Sequence, residues 1–266
     1  MQRIFRTAGT ILSLVAVVCA PAHTQPSPKQ HVSITVSAAI SLKDALDEMG
    51  RAYEKAHPEA KVTFNYGSSG TLQHQIEQGA PIDVFVSASE RQMDALSEEG
   101  MIITSTRHDL IRNVLVLIVS ADSQIVNDLG DLLRPDVKTI ALGEPTTVPA
   151  GMYAQQTLRH LGLLAAVEKK AVYAKDVREV LTYVETGNVD AGFVYRTDAM
   201  SSSKVRVVTA APEDSHAPIV YPVAVVSSSK SAAPACAFLD FLDSSLARDI
   251  FTKFGFAPAE KQALRN

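Results

Sequence analysis

The hydrophobic period of the chain changes abruptly within residues 31–49. Between residues 32 and 36 every second residue is apolar, which predicts a strand with one buried face. From residue 42 to residue 49 the apolar residues are spaced i, i+3, i+4 and i+7, which predicts an amphipathic helix. Ser41 stands at the expected N-cap of that helix. A strand end followed directly by a helix start predicts an anion site, because the free backbone amides and the positive end of the helix dipole point into the crevice.

The same order of elements is repeated further along the chain. A strand is predicted at 61–66, small residues including Ser69 follow at 67–70, and a helix is predicted at 71–78. A further strand at 82–86 and a helix at 89–98 continue the alternation. Alternating strands and helices predict an α/β fold with a parallel sheet and right-handed crossovers.

Two long apolar strands, predicted at 114–119 and 219–226, enclose a second set of strands and helices. This set includes a short helix at 128–133, a helix at 177–185 with Asp176 at its N-cap, and a strand at 191–195. Two amphipathic helices follow, at 233–242 and 245–254. We therefore predict two lobes joined by two crossings, with residues 31–112 and 223–266 in lobe I and residues 113–222 in lobe II. Such an architecture places a cleft between the lobes and allows hinged closure on a ligand.

The first 22 residues have the pattern of a secretory signal peptide. Arg3 and Arg6 precede an apolar run at 11–20, and cleavage is expected after Ala22. The run is too short to span a membrane, and no later stretch reaches the required length. The mature protein is therefore expected to be exported to the periplasm. A lipid anchor at Cys19 is disfavoured because Val18, not a small residue, precedes it.

Composition limits the remaining function classes. Removing Arg3 and Arg6 changes the formal charge from −4 to −6, and an acidic exported protein is a poor candidate for binding nucleic acid. The histidines lack the spacing of common metal sites, so no cation site is expected. Since Cys19 lies in the leader, Cys236 has no disulfide partner in the mature chain and is read as an inert thiol.

Several motifs, in order along the mature chain, resemble those of one known family. The chain is similar to the periplasmic molybdate-binding proteins of ABC importers, the ModA family, in the segments SAAISLKDAL, GSSGTLQHQIEQGAPIDVFVSA, GEPTTVPAGMYAQQTL and KDVREVLTYVETGNVDAGFVYRTDA. Distinct motifs at consistent spacing form a specific signal. The resemblance implies a two-lobe class II periplasmic binding protein fold, with the oxyanion held in the interdomain cleft.

The resemblance also implies the ligand contacts. Ser41 and Ser69 are expected to bind molybdate through hydroxyl and amide groups, Ala150 and Val177 through backbone amides, and Tyr195 through its hydroxyl. No catalysis and no cofactor other than the ligand, molybdate or tungstate, are implied. The expected partner is an ABC transporter permease with its cytoplasmic ATPase, and the protein is expected to be a monomer.

The residue pattern supports these positions independently. Each of Ser41, Ser69, Ala150 and Val177 lies at or just before a predicted helix start, two in each lobe. Such neutral donors favour an anion that carries only acceptors, because the proton of hydrogen phosphate finds no acceptor there. One departure from the family is Gly70, where some members have a third consecutive serine.

Alternative interpretations remain open at this point. Ser41 and Ser69 can be plain N-caps, and Tyr195 can be a packed residue at a strand end. An exported hydrolase could use either serine with a histidine, although no G-x-S-x-G motif is present. The same fold could also bind sulfate, phosphate or a metal cation. The carboxylates Asp83 and Glu144 lie near the predicted cleft, and we expect them to face away or to bind backbone amides.

Overall fold

A computed structural model describes residues 32–259 of the chain. The predicted signal peptide, residues 1–22, lies outside this range. Eleven strands are described: β1 (Val32–Ala39), β2 (Ala60–Gly67), β3 (Val84–Val86), β4 (His108–Arg112), β5 (Leu115–Ser120), β6 (Ile140–Gly143), β7 (Ala171–Ala174), β8 (Ala191–Tyr195), β9 (Val205–Ala210), β10 (Val220–Val225) and β11 (Ala257–Pro258). Nine α-helices are described: α1 (Lys43–Ala56), α2 (Ser69–Glu77), α3 (Glu90–Glu98), α4 (Pro149–His160), α5 (Leu164–Val167), α6 (Val177–Glu185), α7 (Arg196–Met200), α8 (Ala232–Leu242) and α9 (Ser245–Lys253).

The first sheet has six strands in the order β11-β4-β10-β3-β1-β2. Strand β1 runs parallel to β2 and to β3, whereas β10 runs antiparallel to β3 and to β4. The apolar residues of β3 are fully buried, as expected for a strand covered on both faces. This sheet forms lobe I.

The second sheet has five strands in the order β7-β6-β8-β5-β9. Strand β6 runs parallel to β7 and β8, and β5 runs antiparallel to β8 and β9. This sheet forms lobe II. The predicted α/β fold with two lobes is confirmed, and β1, β2 and β3 are parallel as predicted, but each sheet also contains antiparallel strands. In each sheet the long apolar strand, β10 or β5, is antiparallel to its neighbours because it returns from a crossing and not from a helical crossover.

The chain passes between the two sheets after β4 and again before β10. The boundary predicted between residues 222 and 223 falls inside β10, which pairs with strands of the first sheet from residue 220 onward. The preceding segment is held on lobe II, since Ala217 N–H donates to Gln156 Oε1 in α4 at 2.9 Å. The second crossing therefore lies a few residues earlier than predicted.

The C-terminal helices α8 and α9 return to lobe I, where both pack on α1. Their apolar faces explain this placement, because Phe238, Leu242 and Phe251 are almost completely buried. The helix predicted at 128–133 is only a short 3-10 helix at Gly130–Leu133. Within residues 32–259, no helix combines the length and the apolar character needed to span a membrane.

Candidate functional site

Four helix starts carry the predicted ligand-binding residues. Ser41 lies in a 3-10 turn, Ile40–Leu42, that leads into α1. Ser69 is the first residue of α2, Ala150 the second residue of α4, and Val177 the first residue of α6. Each of these residues therefore lies where backbone amides have no partner inside the helix.

The two serines do not cap their helices. Neither the 3-10 turn nor α1 has a side-chain cap, and α2 is capped by Ser68, whose Oγ accepts from Thr71 N–H at 3.4 Å. The interpretation of Ser41 and Ser69 as N-caps is wrong because each helical segment begins earlier than the hydrophobic pattern suggested. Their hydroxyl groups are thus left for other partners.

A single small cavity between the lobes brings the five predicted residues together. Ser41, Ser69, Ala150, Val177 and Tyr195 all line it, and each is at most 4% exposed. Its volume is about 10 Å³. The other lining residues carry no charge; they are Ala39, Ile40, Gly67, Ser68, Ala88 and Val148. Lobe I contributes the serines, and lobe II contributes Ala150, Val177 and Tyr195.

Of the four hydroxyl groups that line the cavity, that of Ser68 is held by Thr71, with the two side-chain oxygens 2.8 Å apart, and the other three differ in their partners. Ser41 Oγ lies 3.0 Å from the Tyr221 hydroxyl, and Ser69 Oγ accepts from Ala88 N–H at 2.9 Å. The Tyr195 hydroxyl is buried and has no hydrogen-bond partner among the described residues. Burial raises the pKa of Tyr195 well above its ordinary value, and the nearby Tyr221 adds to this effect. Tyr195 therefore keeps its proton and can donate it to a ligand.

The lobes touch across the cleft at its rim. Gly70 N–H donates to Thr147 O at 2.9 Å, and the Arg91 guanidinium donates to the carbonyl oxygen of Thr146. Gly70 is required at this position because a Cβ there would lie 2.6 Å from Thr147 Cα. The structure thus shows the closed arrangement of the cleft.

A charged cluster joins the lobes beside the cavity without lining it. Arg178 Nη2 donates to Asp44 Oδ2 of lobe I at 2.8 Å, and its Nε lies 2.7 Å from Oδ1 of the buried Asp198. Burial lowers the pKa of Arg178, but the two carboxylates outweigh it and raise that pKa above its ordinary value. Burial also raises the pKa of Asp198 to about 6, against the opposing attraction of Arg178. The cluster can therefore hold the lobes together without placing a charge in the cavity.

The carboxylates predicted near the cleft are bound to other groups. Asp83 Oδ2 accepts from Thr35 N–H at 2.8 Å, and its Oδ1 accepts from the Ser229 hydroxyl at 2.6 Å. Glu144 Oε1 accepts from the Thr146 hydroxyl at 3.3 Å. The expectation that Asp83 binds a backbone amide is confirmed. Asp176 caps α6 by accepting from Glu179 N–H at 2.9 Å, also as predicted.

Two residues that contact the site serines were missed by the sequence analysis. Ala88 lies two residues after the end of β3, so its position just beyond the carboxyl end of a parallel strand is a signal that could have identified it. Tyr221 lies inside an apolar strand 180 residues from Ser41, and nothing in the local pattern indicates its role.

Other places in the described residues fit a binding site less well. A larger cavity of about 900 Å³ lies on lobe I, and its walls mix acidic and basic side chains such as Glu90, Arg107 and Arg248. None of the five predicted residues lines it. Between residues 32 and 259 no three His, Cys, Asp or Glu side chains are grouped in a way that could hold a metal ion.

Comparison with known proteins identifies the family. The profile of the family described as "Bacterial extracellular solute-binding protein" matches residues 34–257. The chain belongs to this family. As a solute-binding protein of this kind, it binds a ligand and delivers it to the membrane permease and ATPase of an ABC transporter. Its relatives are transport proteins and not enzymes, which confirms the prediction that it has no catalytic activity.

Three relatives of this solute-binding protein show the range of similarity. An ABC transporter substrate-binding lipoprotein, YvgL of Bacillus subtilis, is 44% identical over 95% of this chain and 96% of that protein. The molybdate-binding protein ModA of Haemophilus influenzae is 38% identical over 84% of this chain and 89% of that protein. The solved periplasmic molybdate-binding protein of Azotobacter vinelandii has a TM-score of 0.76 at 26% identity, covering 85% of this chain and all of that one. The similarity to ModA proteins inferred from the motifs is confirmed, as is the predicted fold.

Proposed function

We propose that this solute-binding protein captures molybdate, and also tungstate, for an ABC importer. The observation that carries the proposal is the buried, unpartnered hydroxyl of Tyr195, which lines the same uncharged cavity as Ser41 and Ser69. An unpartnered buried hydroxyl is costly, so its presence at a helix-rimmed cavity indicates a ligand that accepts a hydrogen bond.

The chemistry of the cavity favours a fully deprotonated dianion. Amide groups at four helix starts supply donors from both lobes, and the helix dipoles favour negative charge. No carboxylate lines the cavity to repel an anion or to bind a cation. The names of the ModA relatives, and motifs at the five positions, support molybdate over sulfate or phosphate among such ligands.

The hydrolase and cation alternatives find no support at this site. No histidine lines the cavity, so neither serine has a base beside it there. The acceptor position of Ser69 Oγ is already used by the amide of Ala88.

The proposal is tested by thermal melting of the mature protein with molybdate, tungstate, sulfate or phosphate. A ligand at a thousand times its dissociation constant adds about 4 kcal/mol to the free energy of unfolding. At about 2 to 4 °C per kcal/mol, the melting temperature should rise by roughly 8 to 16 °C. A rise of this size with molybdate and tungstate, but not with the other two anions, is expected. A rise with sulfate or phosphate alone would contradict the assignment of the ligand.

We also propose that the mature protein is released into the periplasm after cleavage following Ala22. This proposal is supported by the sequence pattern: Arg3 and Arg6 at the amino terminus, then an apolar run, then small residues before the cleavage position. Intact-mass analysis of the exported protein should show a chain beginning at His23. A chain beginning at Cys19 with attached lipid, as the name of the Bacillus relative would suggest, would contradict it.

A further inference from the structure

The hydroxyl of Ser41 stands at the end of a line of side-chain hydrogen bonds that begins where the chain crosses between the lobes. Asn113, at the first crossing, contacts Tyr221 of β10, and Tyr221 contacts Ser41. We propose that Asn113 and Tyr221 fix the direction of the Ser41 proton and thereby act as positioning residues that set selectivity against protonated oxyanions. This inference rests on the proposed binding of an oxyanion.

The direction of donation along these hydrogen bonds is set at Asn113. Its Oδ1 accepts from the backbone N–H of Val114 at 2.8 Å, which identifies the other amide atom as the nitrogen. Nδ2 lies 3.0 Å from Thr197 Oγ1 and 3.2 Å from the Tyr221 hydroxyl. Because an amide NH₂ group can only donate, Tyr221 must accept from Asn113.

The next step follows from the chemistry of a phenol. The Tyr221 hydroxyl has a single proton, and its oxygen accepts from Asn113. Its buried proton needs an acceptor, and the hydrogen-bond partner that remains for it is Ser41 Oγ at 3.0 Å, so Tyr221 donates to Ser41. Tyr221 is fully buried, and burial raises its pKa, so the proton is kept.

Ser41 therefore accepts from Tyr221 and presents its own proton to the cavity. Ser69 is directed in the same way by the backbone, since its Oγ accepts from Ala88 N–H at 2.9 Å. The Tyr195 hydroxyl has no hydrogen-bond partner in residues 32–259, so its proton is also available to a ligand. Each of these two serine oxygens thus accepts one hydrogen bond from the protein, which directs the serine proton into the cavity.

This arrangement discriminates between anions by protonation. A fully deprotonated anion accepts every bond that the cavity offers. A hydrogen phosphate proton instead faces two serine protons that the protein already directs at the ligand, and an unmatched buried proton costs binding energy. Sulfate and hydrogen phosphate are close in size and equal in charge, so their affinity ratio reports this discrimination separately from cavity size.

The test measures that ratio in two variants by competition against molybdate at mildly alkaline pH. Tyr221→Phe removes the donor to Ser41 and frees the Ser41 oxygen to accept. Asn113→Asp replaces the donor to Tyr221 by an acceptor. The Tyr221 proton then turns toward residue 113, and the hydrogen bonds among residue 113, Tyr221 and Ser41 reverse their direction. The charge it adds acts equally on both dianions and cancels in the ratio.

We expect the affinity of hydrogen phosphate relative to sulfate to rise about fivefold or more in both variants, as the loss of an unmatched proton implies. Molybdate affinity should fall roughly 2- to 10-fold in Tyr221→Phe, the range for one neutral hydrogen bond. Since Asn113 acts through Tyr221, adding Asn113→Asp to Tyr221→Phe should not raise the ratio further. The matched control is Tyr53→Phe, which removes the hydroxyl of a buried tyrosine in α1 that does not line the cavity.

The outcomes separate the inference from the proposed function. Wild-type protein that binds no oxyanion would overturn the proposed function itself. Wild-type binding of molybdate with an unchanged phosphate to sulfate ratio in the variants would leave the function intact and overturn the role of Asn113 and Tyr221. If Tyr221→Phe does not fold, the ratio in Asn113→Asp decides the question alone. An equal rise in the Tyr53→Phe control would likewise overturn the inference.

Discussion

Tyr195→Phe should have opposite effects on stability and on ligand binding. The substitution removes only a hydroxyl group, and the ring remains in a position that is 1% exposed. That hydroxyl has no hydrogen-bond partner among the described residues. A group of this kind makes no stabilising hydrogen bond in the folded protein without ligand, but it is available to donate to a bound anion.

The magnitudes follow from the two environments of the hydroxyl. Leaving a buried polar group unpaired costs about 1 to 3 kcal/mol, so its removal should stabilise the closed, ligand-free protein. The gain is smaller in molecules whose lobes open and hydrate the hydroxyl, and we expect the free energy of unfolding to be unchanged or up to about 2 kcal/mol higher. A hydrogen bond to a charged ligand is worth about 1.5 to 3 kcal/mol, so molybdate affinity should fall roughly 10- to 150-fold.

Two measurements on the same preparations test this. Urea unfolding without ligand gives the stability, and isothermal titration calorimetry with molybdate gives the affinity. Tyr53→Phe is the control, since Tyr53 is also buried but packs on Phe238 and Phe241 with ring centroids 5.1 and 5.2 Å away. Lower stability together with unchanged molybdate affinity in Tyr195→Phe would refute the reasoning, because the hydroxyl would then have a structural partner and no ligand.

Three further predictions concern the closing of the cleft and its neighbours. Ser41→Ala should weaken molybdate binding by about 1.5 to 3 kcal/mol in calorimetry, and an unchanged affinity would remove Ser41 from the site. Gly70→Ala places a Cβ 2.6 Å from Thr147 Cα, which should hold the hydrogen-bond donors of lobe II away from the ligand and weaken molybdate binding at least about tenfold. The melting temperature without ligand should not fall, because Ala favours a helix more than Gly does. An equal loss in Gly130→Ala, at an exposed glycine, would contradict this. Burial raises the pKa of Asp198 from 3.8 to about 6, so its contribution to stability is present below the lower value and is lost as pH rises through the higher one. Urea unfolding from pH 4 to 6.5 should therefore show wild-type stability falling relative to Asp198→Asn, by at most about 3 kcal/mol, and parallel pH profiles would contradict the assignment.

The sequence by itself determined the class of fold and most of the elements. Regular hydrophobic periods predicted α6 at Val177–Glu185 and β8 at Ala191–Tyr195 with their observed bounds. These elements depend on local side-chain spacing, which the sequence displays directly. The five site positions were also accessible, because helix starts and strand ends carry local signals and the motifs carry a family resemblance.

The sequence did not determine the direction of the strands at the crossings. Strands β5 and β10 have continuous apolar patterns, and such a pattern is the same for a parallel and an antiparallel neighbour. Strand β4 was missed for a related reason, since His108, Asp109 and Arg112 interrupt its apolar residues. Only the assembled sheets show where each of these strands pairs.

Only the tertiary structure decided what each hydroxyl of the site does. Local rules made Ser41 a helix cap, but its actual partner is Tyr221, which is 180 residues away. The occupied acceptor of Ser69 and the unpartnered hydroxyl of Tyr195 likewise depend on groups brought together from both lobes. Hydrogen-bond direction depends on every neighbour of a group at once, and those neighbours are set by folding and not by sequence spacing.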